Sequence, residues 1–264
     1  MTAPLVLVDD PRPAVRRFTL NRPEKRNAIS NALRTELFAG LEAADREDAV
    51  RVSIVRGAGP CFSSGYDLAS DLAAQQPWYT AGGDGAWSRH VSEGWFRIWD
   101  LAKPVIAQVH GYAMAGGSEL AAACDLVYVA ADAKIGYPVV RMVSPPDMQF
   151  HPWLVGMRRA MELLLTGDSI SGAEAAESGL ANGAFPPEEL EARVLELAER
   201  IAKIPSDLQQ LNKRSVHRAM DVMGARAAIR AGSELQALAT HQPSVRKLLE
   251  NLAANMKQAF DKPS

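Results

Sequence analysis

The sequence predicts an α/β core followed by a helical C-terminal part, with the change between residues 150 and 170. Three observations predict it. In the first half, short β-branched runs closed by turn residues alternate with stretches of helical period. The run "KPVIAQVHG" (103–111) is nearly all apolar in its middle, the pattern of a strand covered on both faces. After residue 150 strand signals almost vanish and amphipathic helical patterns take over.

Taken in order, "VRRFTLN" (15–21) reads as a strand, stopped by the turn-forming "NRPEKRN". A helix follows from about Ser30, with Leu33, Leu37 and Leu41 at one-turn spacing. "VRVSIVRG" (50–57) is a second strand, ended by Gly57. The Gly- and Trp-rich stretch 71–100 has no clear period except at its end, where Trp95 and Trp99 stand one turn apart with Phe96 beside them. The strand at 103–111 has Pro104 at its entry, and "DLVYVA" (125–130) is another strand. Helices are predicted at 153–165, 171–178, 187–203, 206–222 and 224–260, with "SGAE" (171–174) a capping box. No fixed-period repeat or low-complexity tract occurs. The chain is read as a core over 1–170 and a helical region over 171–264, parts of one structural domain.

Composition narrows the function classes. Apolar residues make up 47% of the 264 residues and charged residues 23%, enough apolar content for a sizeable core. The net charge of −2 and a pI of about 6.2 give no basic field for nucleic acid or an anionic membrane. No apolar run approaches a membrane span, and the N-terminus lacks the basic and apolar regions of a signal peptide. Cys61 and Cys124 make no disulfide framework, so a reducing cytoplasm is expected. The five histidines show no metal-ligand spacing, so no metal is expected. Dinucleotide, P-loop and G-x-S-x-G motifs are absent from the sequence.

The segment "GYAMAGGSELAAACDL" (111–126) carries the most chemistry. A strand ends at Gly111, a glycine pair follows, and an alanine-rich helix begins. The first turn of a helix has unpaired N–H groups and a field that favours negative charge. Glycine keeps side chains out of a ligand's way there, so the Gly116 N–H is a candidate oxyanion donor. Glu119 lies one turn on, on nearly the same face, as a candidate acid or base. Burial raises the pKa of such a carboxyl and the helix end lowers it, and the sequence does not rank the two. Taken alone, the segment reads equally as tight strand–helix packing with an ordinary first-turn acid.

The segment has company. "GAGPCFSSGYDL" (57–68) has the same strand–turn–helix build, and with it the sequence resembles the enoyl-CoA hydratase/isomerase family, the crotonases. "NRPEKRNAIS" (21–30) is similar to the family's NRP-x-x-x-NA turn, "FSSGYDL" to F-x-x-G-x-D-L, the 103–126 stretch to KPVIAAV-x-G-x-A-x-GGG-x-E-L-x-x-x-CD, and "LLLTGDSISGAEAAESGLAN" (163–182) to the family's LTG segment. The resemblance implies a crotonase-like spiral of ββα units with a helical trimerisation part, assembled as a homotrimer or a dimer of trimers. It implies an acyl-CoA thioester substrate, an enolate intermediate and no cofactor, coenzyme A being part of the substrate. The oxyanion hole carries over to the backbone N–H groups of Tyr66 and Gly116. CoA contacts carry over to Lys25, Arg26, Ala28, Ser64, Tyr66, Asp67 and Leu68, with Lys257 and Lys262 reaching from a neighbouring subunit. Each of those lysines reads otherwise as a solvated surface charge.

The departures fall where the reaction is decided. The first of the two glutamates of the family's hydratases aligns with Glu119, and the second falls on Val139, which transfers no proton. Asp147, eight residues on in "SPPDMQFH", stands where some relatives carry a functional aspartate; otherwise it is a loop acid in a capping position. The family's Gly-rich turn here is replaced by "PPDMQFHPWLVG", which also holds His151, a packing histidine or a proton shuttle. The 71–100 stretch matches the family's variable lid, where Trp78, Tyr79, Trp87 and His90, with Val139, are expected to line the acyl pocket. Enoyl-CoA hydration is the expected reaction, with double-bond isomerisation, or acyl-CoA binding without catalysis, as alternatives. Leu248, Leu249, Leu252, Met256 and Phe260 form an apolar stripe expected at a subunit interface.

Overall fold

In the computed structural model, residues 3–68, 74–248, 250 and 251 are described. The frame is a six-stranded sheet of β1 (Val6–Arg12), β2 (Val15–Leu20), β3 (Val52–Gly57), β4 (Val105–Val109), β6 (Leu126–Ala130) and β9 (Gly183–Phe185), neighbours in that order. The β1–β2 pair is antiparallel and every other pair is parallel, with Phe18 against Val55, Val55 against Ala107 and Ala107 against Val127. A small second sheet joins β5 (Tyr112–Met114), β7 (Lys134–Gly136) and β8 (Ser169–Ser171).

Side chains alternate across the pleat, so each central strand feeds two cores. Val55 and Ala107 enter the larger one, against Leu33, Leu37 and Leu41 of α1 (Asn31–Arg46) and Trp95, Phe96 and Ile98 of α2 (Ala86–Asp100). Ile54 and Ile106 point the other way, onto Leu190, Val194, Leu195 and Ala198 of α6 (Leu190–Ala202). This double burial is the physical reason for the apolar run at 103–109. Ser30 caps α1 by accepting from the Leu33 N–H at 3.2 Å, and Ser171 and Glu174 form the expected capping box of α5 (Gly172–Ser178). β9 pairs with β6, so residues beyond 170 also build the main sheet.

The long helix expected over 224–260 is corrected by the structure. α8 runs Ala225–Thr240, and a turn at His241 and Gln242 interrupts it before Pro243. Proline drives the residue before it out of helical geometry and then opens a new helical turn. Leu249 and residues 252–264, with Leu252, Met256, Lys257, Phe260 and Lys262, lie outside the described residues. Among the described residues no helix is long and apolar enough to cross a membrane. β1 does not read as a strand because its burial does not alternate: it is an exposed edge whose sheet neighbour is β2.

Ala115, between β5 and α3 (Gly116–Ala123), has φ 48° and ψ −122°, a region that side-chain-bearing residues rarely adopt. Such strain costs about 1–3 kcal/mol, and glycine's greater freedom in the unfolded chain returns about 0.4–1 kcal/mol of that. Ala115→Gly is therefore expected to stabilise the protein by about 1 kcal/mol, seen as a higher urea midpoint at unchanged slope.

Candidate active site

Two loops meet at the start of α3, and glycines set how closely. Gly65 has φ +104°, and a Cβ on it would fall 2.9 Å from the Met114 carbonyl oxygen and 3.2 Å from the Gly116 nitrogen. The loops are pinned by Ser63, whose N–H donates to Tyr112 O at 3.1 Å and whose carbonyl accepts from Met114 N–H at 3.0 Å. The Ile29 N–H donates to Gly65 O at 2.8 Å, and the Asp67 N–H to Ile29 O at 3.0 Å. Tyr66 N–H and Gly116 N–H thus sit on adjoining strands of backbone. Among the described residues neither donates to a protein acceptor. A pair of fixed, unspent donors at a helix N-terminus suits an oxygen that gains negative charge.

Glu119, in the first turn of α3, is 2% exposed. Its Oε2 accepts a short hydrogen bond from the Tyr66 phenol, and its Oε1 accepts from the Met148 N–H at 3.1 Å. Trp95 Nε1 donates to the same phenol oxygen at 3.0 Å. Asp147 is next to Met148 in the chain and 3% exposed. Its Oδ2 accepts from the Tyr137 phenol at 3.4 Å, and its Oδ1 is buried with no partner among the described residues. The structure thus brings Glu119 and Asp147 into one buried acidic site.

Burial raises the pKa of Glu119, opposed by the hydrogen bonds from Tyr66 and Met148. Asp147 lies well above the ordinary carboxylate range, first through burial and then through the charge of Glu119. Asp147 has fewer hydrogen-bond partners than Glu119 to offset its burial. Burial and the two carboxylates hold Tyr66 and Tyr137 well above the usual phenol value, so both are neutral donors.

Arg34 is fully buried, and its charge is felt by both carboxyls. Its Nη1 donates to Asn31 Oδ1 at 3.2 Å and its Nη2 to the His90 carbonyl at 3.3 Å, while Nε has no partner among the described residues. The rings of Phe38, Trp78, Trp87 and Trp95 lie 5.3–5.8 Å from its guanidinium carbon. Burial lowers its pKa to about 10, which leaves it cationic at neutral pH. Gly94 makes room for it: a Cβ there would lie 2.6 Å from Nη2 and 2.8 Å from the Trp78 ring.

A cavity of about 20 Å³ borders Glu119, lined by Ser118, Tyr137, Met148, Phe150, His151 and aliphatic side chains. That volume holds roughly one water molecule. Among the described residues, Trp78, Trp87, His90 and Val139 do not line it. Trp78, Trp87 and His90 pack instead around Arg34, with Trp78 and His90 ring centres 4.7 Å apart, and Val139 sits half-buried in a short turn at 138–141. Tyr79 is 90% exposed. His90 holds Thr80 Oγ1 at 2.8 Å through Nδ1, and burial lowers its pKa to about 4; burial lowers His151, beside Gln149 at 3.1 Å, to about 4 as well. Both imidazoles are neutral. Among the described residues no cluster of His, Cys, Asp and Glu is placed to hold a metal ion.

The family model for enoyl-CoA hydratase/isomerase matches residues 12–262. The chain belongs to the enoyl-CoA hydratase/isomerase family. It is 39% identical to the EchA13 protein of Mycobacterium tuberculosis over 241 residues, which cover 84% of this chain and 75% of that one. A crystal structure of enoyl-CoA hydratase from Mycobacterium smegmatis superposes with a TM-score of 0.85 at 32% identity, over 95% of this chain and 89% of the other. A monofunctional enoyl-CoA isomerase from M. smegmatis superposes with a TM-score of 0.67 at 28% identity, over 83% and 95%. The fold is therefore that of the crotonase family.

Within that family frame, Lys25 and Arg26 are exposed on the turn after β2, while Ala28 and Ser64 are half-buried beside it. The Ser64 N–H donates to Arg26 O at 3.0 Å, which brings these two stretches side by side. Asp67 is buried and paired with Arg22 at 2.7 Å, so it braces the two loops. Leu68 is 86% exposed. The sequence reading missed Arg34 and Tyr137 and took no account of the Trp95 N–H. Arg34 left one signal, a charge one turn before Phe38 on the flank of a leucine stripe.

Proposed function

We propose that this chain performs acid/base chemistry on the acyl group of a coenzyme A thioester, with hydration of an enoyl-CoA as its reaction. The observation that carries this reading is the convergence of Glu119 and Asp147 beside the unspent N–H groups of Tyr66 and Gly116. The thioester oxygen accepts from those two N–H groups. Ionised Glu119 takes a proton from water as the water oxygen bonds to Cβ, and the electron pair of the double bond moves to the thioester as an enolate. The Asp147 carboxyl then gives its proton to Cα. Asp147 so stands in for the carboxyl that Val139 lacks. Double-bond isomerisation uses the same groups without water, and the likeness to an isomerase structure favours keeping it as the second reading.

In this reading the exposed Lys25 and Arg26 meet the phosphates of coenzyme A, and Ala28, Ser64, Tyr66 and Leu68 contact the rest of that moiety. A panel of enoyl-, dienoyl- and aryl-CoA thioesters followed by thioester absorbance tests the reading. On the ester that is turned over, Asp147→Asn is expected to lower kcat at least tenfold, since a general acid typically contributes about 10²–10⁴. Full activity of that variant would remove Asp147 from the mechanism.

The assembly that fits is a homotrimer or a dimer of trimers. Met157, Met161 and Leu165 of α4 (His151–Thr166) are 54–78% exposed at one-turn spacing, and Leu208 and Leu211 of α7 (Ser206–Val222) are more than half exposed. Apolar faces of this kind are covered by partners. Light scattering at micromolar protein should give three or six times the 28.5 kDa chain mass, and a monomer would overturn this assignment. The free, buried Cys61 and Cys124 suit a reducing cytoplasm.

A further inference from the structure

We propose that the Tyr66 side chain, held by Trp95, is a positioning residue that keeps Glu119 in its base form and aims it at the oxyanion site. The inference rests on the reading of Glu119 as the base and gives Tyr66 a second task, separate from its backbone N–H. Two observations carry it. First, the ring of Tyr66 lies flat against Gly116: a Cβ on Gly116 would be 2.6 Å from ring carbons. The phenol is therefore fixed on the same residue whose N–H serves the oxyanion. Second, the hydrogen bonds run in one direction. An indole N–H only donates, so Trp95 Nε1 occupies a lone pair of the phenol oxygen at 3.0 Å and leaves the phenol proton for Glu119 Oε2. Met148 N–H holds the other carboxylate oxygen at 3.1 Å. Glu119 thus accepts one bond on each oxygen, an arrangement that matches an anion and fixes the plane of the carboxylate.

The groups that face Glu119 come from several elements. Tyr66 comes from the loop after β3, Tyr137 and Asp147 from the segment between β7 and α4, Arg34 from α1, and His151 from α4 across the cavity. Of the four besides Tyr66, Tyr137 lies between the two carboxyls and donates to Asp147 Oδ2 at 3.4 Å, His151 is neutral, and Arg34 is shared with Asp147; the Tyr66 phenol is the group that donates to Oε2 itself. Tyr66→Phe keeps the ring and the backbone N–H and removes only the hydroxyl. Trp95→Phe keeps an aromatic ring at the buried position and removes the indole N–H that orients the hydroxyl, along with part of the ring's packing on Phe38 and Arg34.

The experiment follows both variants in two ways. With crotonyl-CoA as the probe, Tyr66→Phe is expected to lower kcat on the order of tenfold, the scale of one hydrogen bond to a charged group, with KM little changed. The acid limb of its kcat profile moves to higher pH, because a carboxylate that loses a donor holds its proton more tightly. Independently of turnover, the carboxylate infrared band of Glu119, assigned by its loss in Glu119→Gln, should titrate at higher pH in Tyr66→Phe. A smaller shift in the same direction is expected in Trp95→Phe. Unchanged titration of that band in both variants overturns the proposal. If the parent enzyme does not turn over crotonyl-CoA, the hydration reading fails on that probe, and the infrared titration still decides the role of Tyr66.

Discussion

Glu119→Gln is expected to abolish turnover of the CoA ester while leaving its affinity nearly unchanged. The amide keeps the volume of the side chain in a site where Glu119 is 2% exposed, and its oxygen can still accept from the Met148 N–H at 3.1 Å. It cannot take a proton at neutral pH. A general base contributes about 10²–10⁴ in rate, and the variant should lose at least that. Steady-state turnover on the enoyl-CoA and calorimetric binding of the saturated ester separate the two effects. A variant that turned over at the parent rate would move the base elsewhere, with Asp147 the next group to test.

Lys213→Met should cost about 3–5 kcal/mol of stability, the scale for removing one partner of a buried ion pair. Lys213 Nζ lies 2.8 Å from Asp125 Oδ2 and donates to the carbonyls of Ile98 and Lys103, each at 3.0 Å. Both side chains are at most 12% exposed. Asp125 also accepts from the Val105 N–H at 2.7 Å and lies 3.3 Å from His217 Nε2, so one carboxylate joins α7 to the mouth of β4. Methionine fills the stem of the lysine but takes the cation from beside the buried Asp125 and the donor from two carbonyls. Urea unfolding measures the loss, and a change below about 1 kcal/mol would show that α7 is held by packing alone.

What the sequence displayed well was local. Gly65, Gly116 and Gly117 stand within a few residues of the elements they join, and the spacing of Gly116 to Glu119 follows from one helical turn. The cap at Ser30 and the box at Ser171 and Glu174 were legible for the same reason. Contacts made at long range were not. The Trp95 N–H meets a phenol 29 residues away, and the Met148 N–H meets Glu119 across 29 residues. Periodicity set Trp95 one turn from Trp99 and said nothing of its donor. Arg34 reads as a solvated charge beside a leucine stripe; its burial is decided by Gly94 on another helix, whose missing side chain leaves the room. The break before Pro243 was present in the sequence but lay beneath an apolar stripe that suggested one continuous helix.

The ring-walled Arg34 also divides the molecule's charges into two kinds by what the surrounding electrolyte can do to them. Mobile ions respond over about 8 Å in physiological salt, and only where water carries them. Lys25, whose side chain is 52% exposed, feels that atmosphere in full. Arg34, enclosed by Phe38, Trp78, Trp87 and Trp95, is shut off from it. Ionic strength is thus a dial that turns the outer basic rim up or down, while the field across Glu119 and Asp147 keeps the value the fold has given it.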